Sequence, residues 1–262
     1  MLKKLTGFAA LALTAALAFG SPAKADLQDI LDAGTIRIGV PVDVPPFGYL
    51  DESNEPIGLD IEVARMVAEA LGVELELQHV TSANRISYLA TGRIDLTICA
   101  MGATPERALQ IDFSSPYSAL SIGLYGPPDI DVSGVEDIGD YSIAVARGTT
   151  QDIELTAMAP DANISRFDDD ATAASAYLSG QTDLFATANI IAKDLTERDP
   201  DNPLESKIVF RYSPTHVGVP KGNPELLRWV DTFVFYNLNN NRLSDLTEEW
   251  LGEPLPDAFP SL

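Results

Sequence analysis

Short runs in which apolar residues alternate give way, twice along this chain, to longer runs in which they recur every three or four positions. Few folds accept that rhythm. Ile36, Ile38 and Val40 alternate as a strand that stops at the turn Val44-Pro45-Pro46-Phe47. Leu59, Val63, Met66, Val67, Ala70 and Leu71 keep helical spacing, and Gly72 closes that helix as a C-terminal cap. Leu75 and Leu77 then alternate with Glu74 and Glu76 as a second strand. A helix is expected from about Ser82 to Thr91, followed by a buried strand over Ile94, Leu96 and Ile98 up to Ala100. The order β-α-β-α-β predicts a parallel sheet covered by helices.

The pattern starts again at Tyr141. Strands are expected over 141–146, 164–167 and 183–186. Helices are expected over 150–158, from a cap at Asp170 to Leu178, and from about Asn189. The stretch Tyr88-Leu89-Ala90-Thr91-Gly92-Arg93-Ile94-Asp95-Leu96 is echoed, one residue short, by Tyr177-Leu178-Ser179-Gly180-Gln181-Thr182-Asp183-Leu184, which suggests two related lobes. Two amphipathic helices close the chain, one through Leu226, Val230, Phe233 and Val234, the other through Leu243, Leu246, Trp250 and Leu251.

Residues 1–25 read as a signal peptide. Lys3 and Lys4 precede an apolar run from Leu5 to Phe19, and Ala23-Lys24-Ala25 forms a small-residue cleavage site. The run is short for a membrane span, so a soluble periplasmic product is expected. Asp26 rather than cysteine follows the cut, which argues against a lipid anchor. About 237 residues remain, enough for one large domain or two lobes. Without Lys3, Lys4 and Lys24, 14 basic residues face 39 acidic ones, a net charge near −25. Such a surface repels nucleic acid, and an anionic ligand must be held by local cations. Cys99 is the single cysteine, so no internal disulfide exists, and it is expected as a small buried apolar group. His79 and His216 have no ligand-like spacing, so neither a metal nor a cofactor is expected.

Residues 92–117 bear the chemistry. Thr104 is a good N-cap, Pro105 suits the first helical position, and Arg107 then falls in the first turn. The helix dipole disfavours a cation there by up to about 1 kcal/mol, so the placement makes sense if an anion shares the space. Free backbone N–H groups with a guanidinium form a carboxylate clamp. On local physics alone, a surface pair with Asp112 or Glu106 accounts for Arg107 equally well.

Thr104-Pro105-Glu106-Arg107, followed by Ile111-Asp112-Phe113-Ser114-Ser115-Pro116-Tyr117, resembles the signature of periplasmic solute-binding proteins for polar amino acids, the capture subunits of ABC importers. The likeness runs from about Thr35 to Leu255. It implies an α/β fold of two Rossmann-like lobes joined by a two-strand hinge, the type II periplasmic binding protein fold. The chain would cross between lobes near Ser118–Leu124 and Ser213–Val219. Lobe 1 is then 26–118 plus 219–262, and lobe 2 is 119–218. The resemblance also implies a non-enzymatic monomer whose partner is the ABC permease. Since the chain ends at Leu262 without a membrane span or kinase region, a receptor's sensor domain is not expected.

In the resembled family the arginine matching Arg107 holds the ligand's α-carboxylate. The turn Gly148-Thr149-Thr150 closes over the same group with its amides and the Thr150 hydroxyl, although Thr149 reads equally as a plain helix cap. Ser82-Ala83-Asn84-Arg85-Ile86 is similar to the acidic-amino-acid binders, where this serine and arginine grip carboxylates; Arg85 is otherwise a surface residue near Asp60 or Glu62. Gly102 stands where many members carry a hydroxyl, leaving its amide to donate. Phe47 and Tyr49 are placed to stack on an apolar part of the ligand, while the resemblance implies that Phe47 is mostly lobe core.

The departures are two missing acids. The family's usual partners for a ligand ammonium match Pro41 and Ala188 here. An ammonium buried without counter-charge costs several kcal/mol. Asn189, or one of Asp168, Asp169 and Asp170, is left to supply the partner, although Asp170 is accounted for as a cap. No other carboxylate or histidine is expected in the cleft-facing loops. The expected ligand is an acidic amino acid such as glutamate or aspartate, whose two carboxylates suit two arginines. An amine-free dicarboxylate is the alternative. A prephenate or arogenate dehydratase, which the same fold hosts, is a third reading and needs a general acid in the cleft.

Overall fold

The computed structural model describes residues 25–252, 254–256 and 258–259. The signal peptide expected over 1–25 therefore lies, except for Ala25, outside the described residues. In the first half, α1 (Leu27–Ala33) leads into β1 (Thr35–Val40), a small sheet of β2 (Asp43–Val44), β3 (Gly48–Leu50) and β4 (Pro56–Ile57), and α2 (Leu59–Leu71). β5 (Glu74–His79), α3 (Arg85–Ala90), β6 (Leu96–Thr97) and α4 (Pro105–Ala108) follow. Gly72 caps α2 in the left-handed conformation at φ 70°, where its amide reaches Ala68 O and Glu69 O. β1 pairs in parallel with β5 on one side and β6 on the other.

The strand expected over 94–100 is shorter than its apolar pattern. β6 covers only Leu96 and Thr97, and the chain then bends, with Ala100 at φ 41°. Side chains have taken the backbone groups a longer ladder would need. Arg85 Nη1 donates to Cys99 O at 2.6 Å, and the Ala100 amide donates to Tyr117 Oη at 3.3 Å.

Two 16-residue strands dominate the middle, β7 (Ile111–Gly126) and, after the second half, β11 (Glu205–Pro220). Between them lie β8 (Ser142–Ala146), α5 (Thr150–Met158), β9 (Asn163–Phe167), α6 (Asp170–Leu178), β10 (Leu184–Ala188) and α7 (Asn189–Arg198). β8, β9 and β10 form a second parallel group. β7 and β11 pair antiparallel along their length with several register shifts. One end of the pair meets β6 and the other meets β10, so all eight strands form one sheet in the order β5-β1-β6-β11-β7-β10-β8-β9.

Both expected crossings, 118–124 and 213–219, fall within this strand pair. The chain ends with α8 (Pro224–Asn239) and α9 (Arg242–Leu251), which return to the first half. Leu226, Val230, Phe233 and Val234 on α8 are buried there. No described helix is long and apolar enough to cross a membrane.

Candidate functional site

The loops at the carboxyl ends of β1, β6, β8 and β10 converge between the two parallel groups, the place where α/β sheets bind ligands. They line a small cavity. Phe47, Ser82 and Arg85 line it from the first half, and Thr149, Thr150, Asp170 and Ile191 from the second.

Thr104 caps α4, its hydroxyl accepting from the Arg107 amide at 3.2 Å, and Pro105 takes the first helical position. This turns Arg107 inward, where it is 3 % exposed. Its guanidinium spans the two halves, with Nη1 donating to Gly102 O at 2.6 Å and Thr150 Oγ1 at 3.0 Å, and Nη2 to Gly148 O at 2.8 Å. Every one of these acceptors is neutral. Burial, followed by repulsion from Arg85 and Arg211, pulls Arg107 down to about 9.

Arg85 is also 3 % exposed, not at the surface, and its Nε is buried without a hydrogen-bond partner. Among the described residues neither Arg85 nor Arg107 has a carboxylate at ion-pair distance. Arg211, which no sequence pattern marked, is the third cation of the group; it faces Glu154 at 3.4 Å and donates to Ala103 O.

The helix N-terminus of α5 faces the same space. Thr149 caps it, its hydroxyl accepting from the Asp152 amide at 3.2 Å and donating to Ala146 O at 2.8 Å. Thr150 and Gln151, whose amides have no intrahelical acceptor, line the cavity.

Two expectations change here. Asp169, not Asp170, caps α6, accepting from the Thr172 amide at 2.6 Å. Asp170 is thereby freed to line the cavity at 8 % exposure, the one of the three aspartates offered as a ligand partner that does so. Burial, then the nearby Asp43, push it up to about 7, against the pull of Arg85. Asn189 does not reach the cavity. Its side-chain oxygen accepts from the Ser121 amide at 2.9 Å and clips α7 to β7.

Phe47 is wholly buried yet touches the cavity, so it serves the core and the wall together. Gly102 sits against the second half, where a Cβ would lie 2.5 Å from Ser213 Oγ and 3.0 Å from Thr150 Oγ1. Behind the cavity, Tyr117 Oη donates to Asp60 Oδ1 at 2.5 Å, while Asp60 Oδ2 is buried without a partner. Burial lifts Asp60 to about 7.

His216 is buried within β11, its Nδ1 2.7 Å from Ser114 O, and His79 is exposed. No group of three His, Cys, Asp or Glu side chains among the described residues is placed to hold a metal ion.

The model of the bacterial extracellular solute-binding proteins, family 3, matches residues 36–253. The chain belongs to that family. This family 3 protein is 30 % identical over 235 residues to the ABC transporter glutamine-binding protein GlnH of Bacillus subtilis, covering 88 % of this chain and 86 % of that one. It is similar to a solute receptor for L-cysteine of Neisseria gonorrhoeae, with a TM-score of 0.82, 30 % identity and coverage of 87 % and 94 %. It is also similar to an ancestral amino acid-binding protein described as a precursor of cyclohexadienyl dehydratase, with a TM-score of 0.79, 29 % identity and coverage of 86 % and 99 %. The family 3 protein thus has the type II periplasmic binding protein fold, two α/β lobes joined by the β7–β11 strand pair.

Proposed function

We propose that this protein is the periplasmic capture subunit of an ABC-type amino-acid importer, closing two lobes on a free amino acid without catalysis. One observation carries the reading. Arg85 lines the cavity and Arg107 is buried beside it, bridging the two halves through Gly102, Thr150 and Gly148; neither has a carboxylate partner among the described residues, and a ligand carboxylate is the group that satisfies them. Thr150 and Gly148 already touch Arg107 from the opposite lobe, so a carboxylate held there contacts both lobes and stabilises closure. The glutamine and L-cysteine relatives support an amino acid as the class.

Within that class we favour an acidic amino acid such as glutamate or aspartate. Two ligand carboxylates and one ammonium, set against Arg85, Arg107 and an ionised Asp170, sum to zero charge. The lobes are taken as 26–118 plus 219–262 and 119–218. The chain works as a monomer, reaches the periplasm through residues 1–25, and hands its ligand to the permease.

A thermal-shift panel of L-glutamate, L-aspartate, L-glutamine, L-cysteine, L-arginine and glutarate tests the reading. A ligand at about 100 times its Kd stabilises by roughly 2.7 kcal/mol. At least one amino acid should raise Tm by several degrees; a shift with glutarate alone favours the amine-free alternative, and none at all refutes amino-acid capture. The dehydratase reading gains one observation, since a cleft carboxyl near 7 suits a general acid. Turnover of prephenate or arogenate would establish it in place of capture.

A further inference from the structure

Three positions on the cavity wall frame a question of charge. Pro41, after β1, Ala188, at the end of β10, and Asp170, at the start of α6, all line the cavity. Pro41 and Ala188 are apolar, so nothing at either place answers a ligand ammonium. Asp170 is the one carboxylate among the residues lining the cavity.

Asp170 has no structural duty of its own. Asp169 performs the capping of α6, and the single hydrogen bond to Asp170 is a long one, 3.5 Å from Ser82 Oγ to Oδ2. Burying a carboxylate in a cleft on one weak bond is costly unless a cation comes to it. No lysine or arginine stands at ion-pair distance among the described residues, although Arg85 acts on it from further off. The Ser82 contact also crosses between the lobes, so a cation seated at Asp170 lies where the lobes meet.

We propose that Asp170 is the counter-charge for the ligand's ammonium group, and so the residue that makes this cleft select α-amino acids over the same acids without the amine. The assignment rests on the capture reading above and deepens it. The anionic end of the ligand lies with the arginines and the α5 amides, the cationic end with Asp170. The recognition sits on the first residue of α6.

Isothermal titration with matched pairs tests this: L-glutamate with glutarate, L-glutamine with glutaramate, and L-cysteine with 3-mercaptopropionate. Wild type should prefer the amine-bearing member of its best pair by 100-fold or more. Asp170→Asn should narrow that preference below about tenfold, chiefly by weakening the amine-bearing member, because truncating a buried charge pair removes most of its discrimination. Affinity for the amine-free member should hold or improve, since a negative charge has left the wall. Asp170→Ser serves as a second variant should the amide disturb folding, with unliganded melting curves as the control. A variant that keeps the wild-type preference, or weakens both members equally, overturns the proposal and makes Asp170 a partner of Arg85 only. A wild type that binds amino acids without preferring the amine also overturns it, while leaving the capture reading intact. Failure of every amino acid to bind wild type sinks both.

Discussion

Replacing Arg107 by methionine removes a buried charge while keeping a flexible apolar stem, and it separates binding from stability. Two opposing contributions change in the unliganded protein. Holding the guanidinium at about 9 instead of 12.5 corresponds to a cost on the order of 5 kcal/mol, which methionine relieves. Three hydrogen bonds to Gly102, Gly148 and Thr150 are lost in exchange, about 1.5–3 kcal/mol each for a charged donor. The difference, between nearly zero and about 4 kcal/mol, is what the unliganded fold should lose. Ligand affinity has no such compensation. Truncating one partner of a buried charge pair costs about 2–5 kcal/mol, which raises Kd roughly 30- to 5,000-fold. With ligand at about 100 times the wild-type Kd, wild type gains roughly 2.7 kcal/mol, and Arg107→Met at most about 0.9 kcal/mol. In a differential scanning experiment the ligand-induced rise should fall from about 5–11 °C to below about 4 °C. A variant whose ligand-induced rise equals that of wild type, whatever its unliganded Tm, refutes the placement of the carboxylate at Arg107.

Gly102→Ala drives a Cβ against Ser213 Oγ and Thr150 Oγ1, so it should loosen the contact between lobes and cost about 1–3 kcal/mol of closure. Small-angle scattering should show a larger unliganded radius, and an unchanged radius would count against it. Asp60 lies near 7 when folded against 3.8 when free, chiefly through burial. A carboxyl raised in this way stabilises the fold fully below about pH 3.8, and that stabilisation is lost as pH rises through about 7. Asp60→Asn should therefore remove about 4 kcal/mol of decline between roughly pH 4 and 8, read as urea midpoints. Parallel profiles for the two proteins would contradict it. Burial pushes the Cys99 thiol up to about 12, so Ellman's reagent at mildly alkaline pH should leave the native protein unlabelled and react fully once it is unfolded in guanidinium.

The elements with one wet and one dry face were legible in the sequence. α2 shows its buried stripe through Leu59, Val63, Met66 and Val67, and Gly72 announces its end. β11 did not show itself, because a strand that joins two lobes buries no constant face: Val209 and Tyr212 are exposed while Ser213, Thr215 and His216 are buried. Only the family likeness pointed to the crossings.

At the site, the local cap at Thr104 and Pro105 was readable, but the inward role of Arg107 came from the family likeness, since local physics allowed a surface pair equally well. Asp170 was misread for a physical reason. Three consecutive aspartates offer three caps of equal local merit, and only the backbone at Asp169, φ −145° and ψ 168°, decides which is used. Asn189, offered as a ligand partner in place of the missing acids, has its oxygen claimed by a distant amide, that of Ser121. Asp60 stands in the first turn of α2, where the helix dipole favours an acid, so nothing local sets it apart. Its partner Tyr117 lies 57 positions along the chain, beyond any local pattern.

The sheet order places β11 between β6 and β7, with Gly218 beside Thr97. During synthesis, then, the N-terminal half leaves the edge of β6 bare until about 120 further residues have been made. Pairings that distant make for slow folding. A nascent chain of this design stays incomplete, and hence threadable, for most of the time it takes to be made.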